Sequence, residues 1–218
     1  MQVRFFSYDS KFSQLLLKIS YGCYLNLLWF LFSIPIVTAG ASTTALYYVS
    51  LKIVREEEHG ITGMFVRAFR ENFKQSTILW LILLGVGGIL GGDFYIIRHL
   101  RSISTGVPAI LWTLLLALVI AATIVYVIIL MYVFPLIASV VNTSFAMIKN
   151  AFFIGTHYLF CTIMVFAIHF AMFFLIVRVF TPLIIFGEGL CALLSSFLFS
   201  PVIAACSYDP DAEDGNNE

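Results

Sequence analysis

His169 is the ionisable residue nearest the middle of a long apolar run, flanked by Ala167, Ile168, Phe170 and Ala171. A neutral imidazole there can donate a hydrogen bond to a neighbouring helix, whereas a proton relay needs an acid or a second histidine at similar depth. The sequence offers no such partner, so packing is the simpler reading. Asp93 follows a glycine run and precedes Arg98 and His99. An ion pair with Arg98 near a membrane interface is its plain reading, and a polar site at a pore mouth the sharper one. The third concentration of chemistry is residues 33–44, Ser-Ile-Pro-Ile-Val-Thr-Ala-Gly-Ala-Ser-Thr-Thr. Pro35 frees backbone groups from a helical ladder, and such groups are tolerated at membrane depth only inside protein or beside a wet cavity. Thr38, Ser42, Thr43 and Thr44, with Asp93 and His169, are therefore the candidate polar lining. The alternative is a tight helical hairpin whose hydroxyls satisfy the turn.

No reaction is written in the remaining residues. Glu56, Glu57 and Glu58 are consecutive and do not share a helix face, so they read as a solvated helix end, with Gly60 supplying a left-handed stop. Cys23, Cys161, Cys191 and Cys206 stand apart in apolar runs without C-x-x-C spacing, and read as small buried hydrophobes. Spacing assembles no nucleophile and base, no metal ligand set and no cofactor fingerprint, so the expectation is a protein that is not an enzyme. Gly87/Gly91 and Gly88/Gly92 form two overlapping G-x-x-x-G pairs. Lacking Cβ atoms, these four are candidates for close helix packing, within one chain or across a homo-oligomer.

The elements that must position these residues are set by composition. Hydrophobic residues make up 61% of the 218-residue chain and charged ones 11%, too few for the charged shell of a soluble domain. Twelve Lys and Arg against twelve Asp and Glu leave no net charge and no basic surface for nucleic acid. Apolar blocks at 12–54, 78–97, 108–141, 158–180 and 190–206 predict an all-α polytopic transmembrane bundle, one domain over 1–208, followed by an acidic tail at 209–218. The basic start and Ala39-Gly40-Ala41 imitate a secretory signal, but the apolar run at 19–37 exceeds the usual h-region of about 7–15 residues, so no cleavage is expected.

The first block is too long for one span of a hydrocarbon core about 30 Å thick, and Pro35 and Gly40 break it. Read as one span, it leaves the basic residues divided six to six. Read as a hairpin, it puts nine Lys and Arg on one side against three on the other, as cytoplasmic retention of basic residues requires. The expectation is six membrane-embedded helices, the second short, with both termini cytoplasmic in the cell membrane. Between helices two and three, Ile61, Met64, Phe65, Ala68, Phe69 and Phe73 share one face, and Arg67, Arg70, Glu71 and Lys74 the other. That pattern predicts a separate amphipathic helix at the cytoplasmic lipid interface. Residues 142–157 repeat it faintly, Ile148, Ala151 and Phe152 matching Phe65, Ala68 and Phe69 at an offset of 83.

Residues 25–29 (Leu-Asn-Leu-Leu-Trp), 34–48 (Ile-Pro-Ile-Val-Thr-Ala-Gly-Ala-Ser-Thr-Thr-Ala-Leu-Tyr-Tyr) and 72–76 (Asn-Phe-Lys-Gln-Ser) resemble the YesL family of bacterial membrane proteins. The resemblance implies a context and no established activity: members occur in Gram-positive bacteria near carbohydrate-uptake and polysaccharide-degradation genes. The expected function is an accessory or assembly partner of a carbohydrate-uptake system, with the bilayer and transport subunits as partners. The alternative is a small solute transporter acting itself, as a dimer. A continuous cavity along the polar residues would favour transport, and a packed interior with exposed grooves the accessory role.

Overall fold

A computed structural model describes residues 11–207; the acidic tail expected at 209–218 lies outside the described residues. Seven α-helices follow in order: α1 Lys11–Ser33, α2 Ala39–Val54, α3 Ile61–Ile103, α4 Val107–Ser139, α5 Ser144–His157, α6 Leu159–Arg178 and α7 Ile184–Ser207. Short 3-10 turns at Ile36–Thr38 and Thr181–Leu183 join α1 to α2 and α6 to α7, and no strand occurs among the described residues. Five helices, α1, α3, α4, α6 and α7, are long and apolar enough to cross a membrane. α2, at 16 residues, falls short of the roughly 20 that a bilayer core takes.

The short helix is the centre of the molecule. Ala41, Ala45, Leu46, Val49 and Ile53 of α2 are fully buried, with Phe65 and Leu79 of α3, Val133 of α4 and Val165 of α6. α4 is the opposite case. Only residues 132–137 of its length are buried, while Ile110, Leu111, Leu114, Leu118 and Ile124 lie open. A helix apolar on all sides needs lipid or another protein around it, so this exposure fits a membrane setting.

The chain does break at Pro35. α1 stops at Ser33, and the Thr38 hydroxyl closes the break by donating to the Phe32 carbonyl (2.7 Å) and the Pro35 carbonyl (2.8 Å). α2 then returns along α1, and Lys18 reaches Glu56 just beyond the α2 end at 3.1 Å. Gly60 plays a different part from the one expected. The left-handed residue that stops α2 is Glu56 (φ 58°), with Glu57 N–H bonded back to the Lys52 carbonyl and Glu56 N–H to that of Ile53. Gly60, also left-handed, instead precedes α3.

The separate interfacial helix expected over residues 61–75 is corrected by the structure. Those residues are the first third of α3, a single helix of 43 residues, about 64 Å long. No proline or glycine interrupts the chain from Met64 to Leu84, so nothing ends the helix before the apolar run begins. Its apolar face meets protein: Phe65 is fully buried, and the Phe32 ring sits 5.5 Å from Phe65 and 5.0 Å from Phe69. Phe73 is exposed, as are Arg67, Arg70 and Lys74, and Arg67 donates to Glu71 one turn on. The faint copy at residues 142–157 is helical from Ser144 as α5, but Tyr158 separates it from α6 where α3 runs on unbroken.

Candidate functional site

The hydroxyls of residues 38–44 are engaged with protein. The Ser42 hydroxyl donates to the Trp29 carbonyl (2.9 Å), and the Trp29 indole donates to Thr43 Oγ1 (3.0 Å). Thr44 donates to the Gly40 carbonyl and shares a 2.8 Å hydrogen bond with Ser76 of α3. Trp80 of α3 completes the seam by donating to the Ile36 carbonyl at 2.8 Å. Gly40 is required there, because a Cβ would stand 2.6 Å from the Ser76 carbonyl oxygen and 2.5 Å from Trp80 Cβ. Ser42 and Thr44 are fully buried, and the hydroxyls expected as a polar lining are bonded here to protein groups. Asp93 lies exposed on α3, far along the chain from this seam, and among the described residues it is in no ion pair with Arg98.

Of the four packing glycines, only Gly87 meets a neighbour within the chain. A Cβ on it would come 2.6 Å from the Tyr126 hydroxyl of α4, which donates to the Leu83 carbonyl. A Cβ on Gly88, Gly91 or Gly92 would meet nothing of this chain within 4 Å. The tightest glycine contact lies elsewhere. A Cβ on Gly189 of α7 would fall 2.2 Å from the Gly22 carbonyl oxygen of α1 and 2.8 Å from Asn26 Cβ. Here two backbones touch, and the fully buried Asn26 locks them, its Oδ1 accepting from Gly189 N–H at 2.7 Å.

One residue from that crossing stands the partner His169 lacked in sequence. Glu188 Oε1 lies 4.0 Å from His169 Nε2, and the Tyr47 hydroxyl of α2 lies 3.5 Å from the same nitrogen. The other ring nitrogen, Nδ1, is 2.9 Å from the Val165 carbonyl one turn back on α6. His169 is the eleventh of the 20 residues of α6, so the group sits midway along a helix able to cross a membrane. Its side chains differ in access: Tyr47 is 4% exposed, while the His169 and Glu188 side chains are 30% and 33% exposed. Cys191, Ser195 and Phe199 continue the Glu188 face of α7 at helical spacing, and the Phe199 ring packs on Tyr47 at 5.9 Å. Ser195, with Ser50 one turn along α2 from Tyr47, is fully buried and has no hydrogen-bond partner for its hydroxyl among the described residues.

This cluster of Tyr47, His169 and Glu188, beside the α1–α7 crossing, is the candidate site. It holds a base, an acid and a hydroxyl, the groups that bind or pass a proton. Among the described residues no three of His, Cys, Asp and Glu come together as a metal ion would need. Two apolar grooves flank α4. One, of about 360 Å³, runs past Gly87, Gly91, Phe94 and Tyr126; the other, of about 460 Å³, past Val127, Met131, Ile163 and Phe166. A third, polar groove on α3 is lined by Thr62, Gly63, Val66, Arg67, Arg70 and Glu71.

No curated protein and no solved structure matches this chain. Residues 23–94, about a third of it, match the model of a protein family described as a protein of unknown function, DUF624. The matched stretch is the second half of α1 with Asn26, all of α2 with Tyr47, and α3 as far as Asp93 and Phe94.

Proposed function

We propose that this chain is a multi-pass protein of the bacterial cytoplasmic membrane, of the YesL kind, acting as an accessory or assembly partner of a carbohydrate-uptake system. The observation that carries the reading is the closed seam at residues 38–44. The hydroxyls best placed in sequence to line a path are used between α1, α2 and α3, while the grooves lie open on the outer faces of α3, α4 and α6. A protein that moves a solute needs a polar route inside it; one that assembles with others needs faces outside. The Lys18–Glu56 contact between the base of α1 and the end of α2 supports a threading of six embedded helices, α2 short, with both termini cytoplasmic. In that threading Arg67, Arg70 and Lys74 face cytoplasmic partners or headgroups. Gly88, Gly91 and Gly92 are free to meet a second copy.

The test is purification from native membranes in mild detergent, comparing the natural chain with Arg67→Glu/Arg70→Glu/Lys74→Glu. Sugar-transport subunits should accompany the first and be lost from the second. Recovery of the natural chain with no transport subunit would overturn the reading. A second reading, transport by this chain itself, is favoured by one observation, the acid–base pair His169–Glu188 midway along α6.

A further inference from the structure

His169 makes different contacts with its two ring nitrogens, and the difference fixes its chemistry. A carbonyl only accepts, so the 2.9 Å contact between Nδ1 and the Val165 carbonyl places a hydrogen on Nδ1. In the neutral ring Nε2 then carries the lone pair. That lone pair is aimed between a hydroxyl from α2, the Tyr47 Oη at 3.5 Å, and a carboxylate from α7, the Glu188 Oε1 at 4.0 Å. Among the described residues these two are the titratable groups on Nε2, and one turn along α7 lies Cys191, whose Sγ is 4.0 Å from the Ile168 carbonyl. α1 contributes the uncharged Asn26, committed to Gly189.

We infer that His169 Nε2 and Glu188 Oε1 together form a single proton-binding site, and that loading it moves His169 from a hydrogen bond with α2 to an ion pair with α7. Unloaded, Nε2 accepts from the Tyr47 hydroxyl. A proton arriving from water forms a bond with the Nε2 lone pair; no other bond breaks, and the imidazolium offsets the carboxylate. A charged acceptor holds an N⁺–H about twice as well as a neutral one, so the new donor turns to Glu188 and releases Tyr47. The loaded pair is net neutral, the state that a low-dielectric surrounding favours. The His169 and Glu188 side chains are partly exposed on the bare chain, whereas Tyr47 is shut inside. Since Tyr47 belongs to the central helix α2, the proton decides whether α6 is tied to the centre or to α7.

Nitrogen-15 NMR on histidine-labelled protein in lipid nanodiscs tests this, with His59, His99 and His157 replaced by Gln so that His169 alone reports. Nδ1 should be protonated at every pH, while Nε2 passes from bare to protonated on acidification. The carbon-13 resonance of Tyr47 Cζ should move with the same midpoint. Glu188→Gln removes the carboxylate that takes the new donor, so the Tyr47 resonance should no longer follow the change at Nε2, and Glu188→Asp should restore the response. A bare Nδ1, a Tyr47 signal that ignores the transition, or a Tyr47 response unchanged in Glu188→Gln would each overturn the inference. The tautomer and the Tyr47 response are read on protein with all three cluster residues intact, so they decide the matter even where a Glu188 variant fails to fold.

Discussion

Replacing Gly189 by alanine adds one methyl group at the point where α7 touches α1. That carbon would stand 2.2 Å from the Gly22 carbonyl oxygen, 2.8 Å from Asn26 Cβ and 3.0 Å from Asn26 N. Two of those atoms are backbone, so no rotamer change relieves the contact and the helices must separate. Overpacking of this kind costs about 1–3 kcal/mol. Separation also stretches the 2.7 Å hydrogen bond from Gly189 N–H to Asn26, worth about 0.6 kcal/mol for an average interhelical bond in a membrane protein. Gly189→Ala should therefore lose roughly 2–4 kcal/mol. Gly88→Ala is the control: with nothing within 4 Å, the higher helix propensity of alanine makes it neutral or stabilising by up to about 1 kcal/mol. Reversible unfolding in mixed micelles, or steric trapping in bicelles, measures both. A Gly189→Ala protein within ~0.5 kcal/mol of the natural one, or a Gly88→Ala protein that is the weaker of the two, would refute the α1–α7 crossing.

Phe65→Ala should cost about 3–5 kcal/mol and Phe73→Ala well under 1 in the same assay, since Phe65 is fully buried and Phe73 is exposed; equal effects would place both rings in lipid. Ser76→Ala leaves the buried Thr44 without its 2.8 Å partner and should cost about 1–2 kcal/mol, whereas Ser102→Ala, on an exposed hydroxyl, should be silent. The Lys52 side chain donates a hydrogen bond to the Glu57 carboxylate and adds its charge, holding Glu57 below the usual carboxylate range. A depressed folded-state value means this contact supports the α2 end above the unfolded glutamate value. It is lost as pH falls through the lower folded one. Carbon-13 titration of Glu57 should show the low midpoint, and Lys52→Gln should restore the ordinary one.

The hydropathy blocks and the proline break carried the helical bundle, because span length and helix breaking are local properties of the chain. Three things were not local. An amphipathic stripe has the same period whether it faces lipid or protein, so residues 61–75 read as an interfacial helix although Phe65 packs against Phe32. The hydroxyls of Thr38, Ser42, Thr43 and Thr44 suit a wet lining or a stitched turn equally, and their neighbours Trp29, Ser76 and Trp80 are brought to them by the fold and not by local spacing. Glu188 lies just outside the apolar block that hydropathy delimits at 190–206, while α7 begins at Ile184. Its partners Tyr47 and His169 lie on α2 and α6, and no spacing in one sequence brings three separate helices together. The signal that could have found it is an acid between Gly187 and Gly189 at the start of an apolar block.

Whether this chain serves a transport system or moves sugar by itself is read in proteoliposomes holding the purified chain alone, given external labelled mono- and disaccharides under a proton gradient. Uptake should be no greater than in empty liposomes, for the natural chain and for Thr43→Ala and Asp93→Asn alike. Saturable uptake by the natural chain that either substitution abolishes in folded protein would contradict it, and would make residues 38–44 and Asp93 the lining of a path.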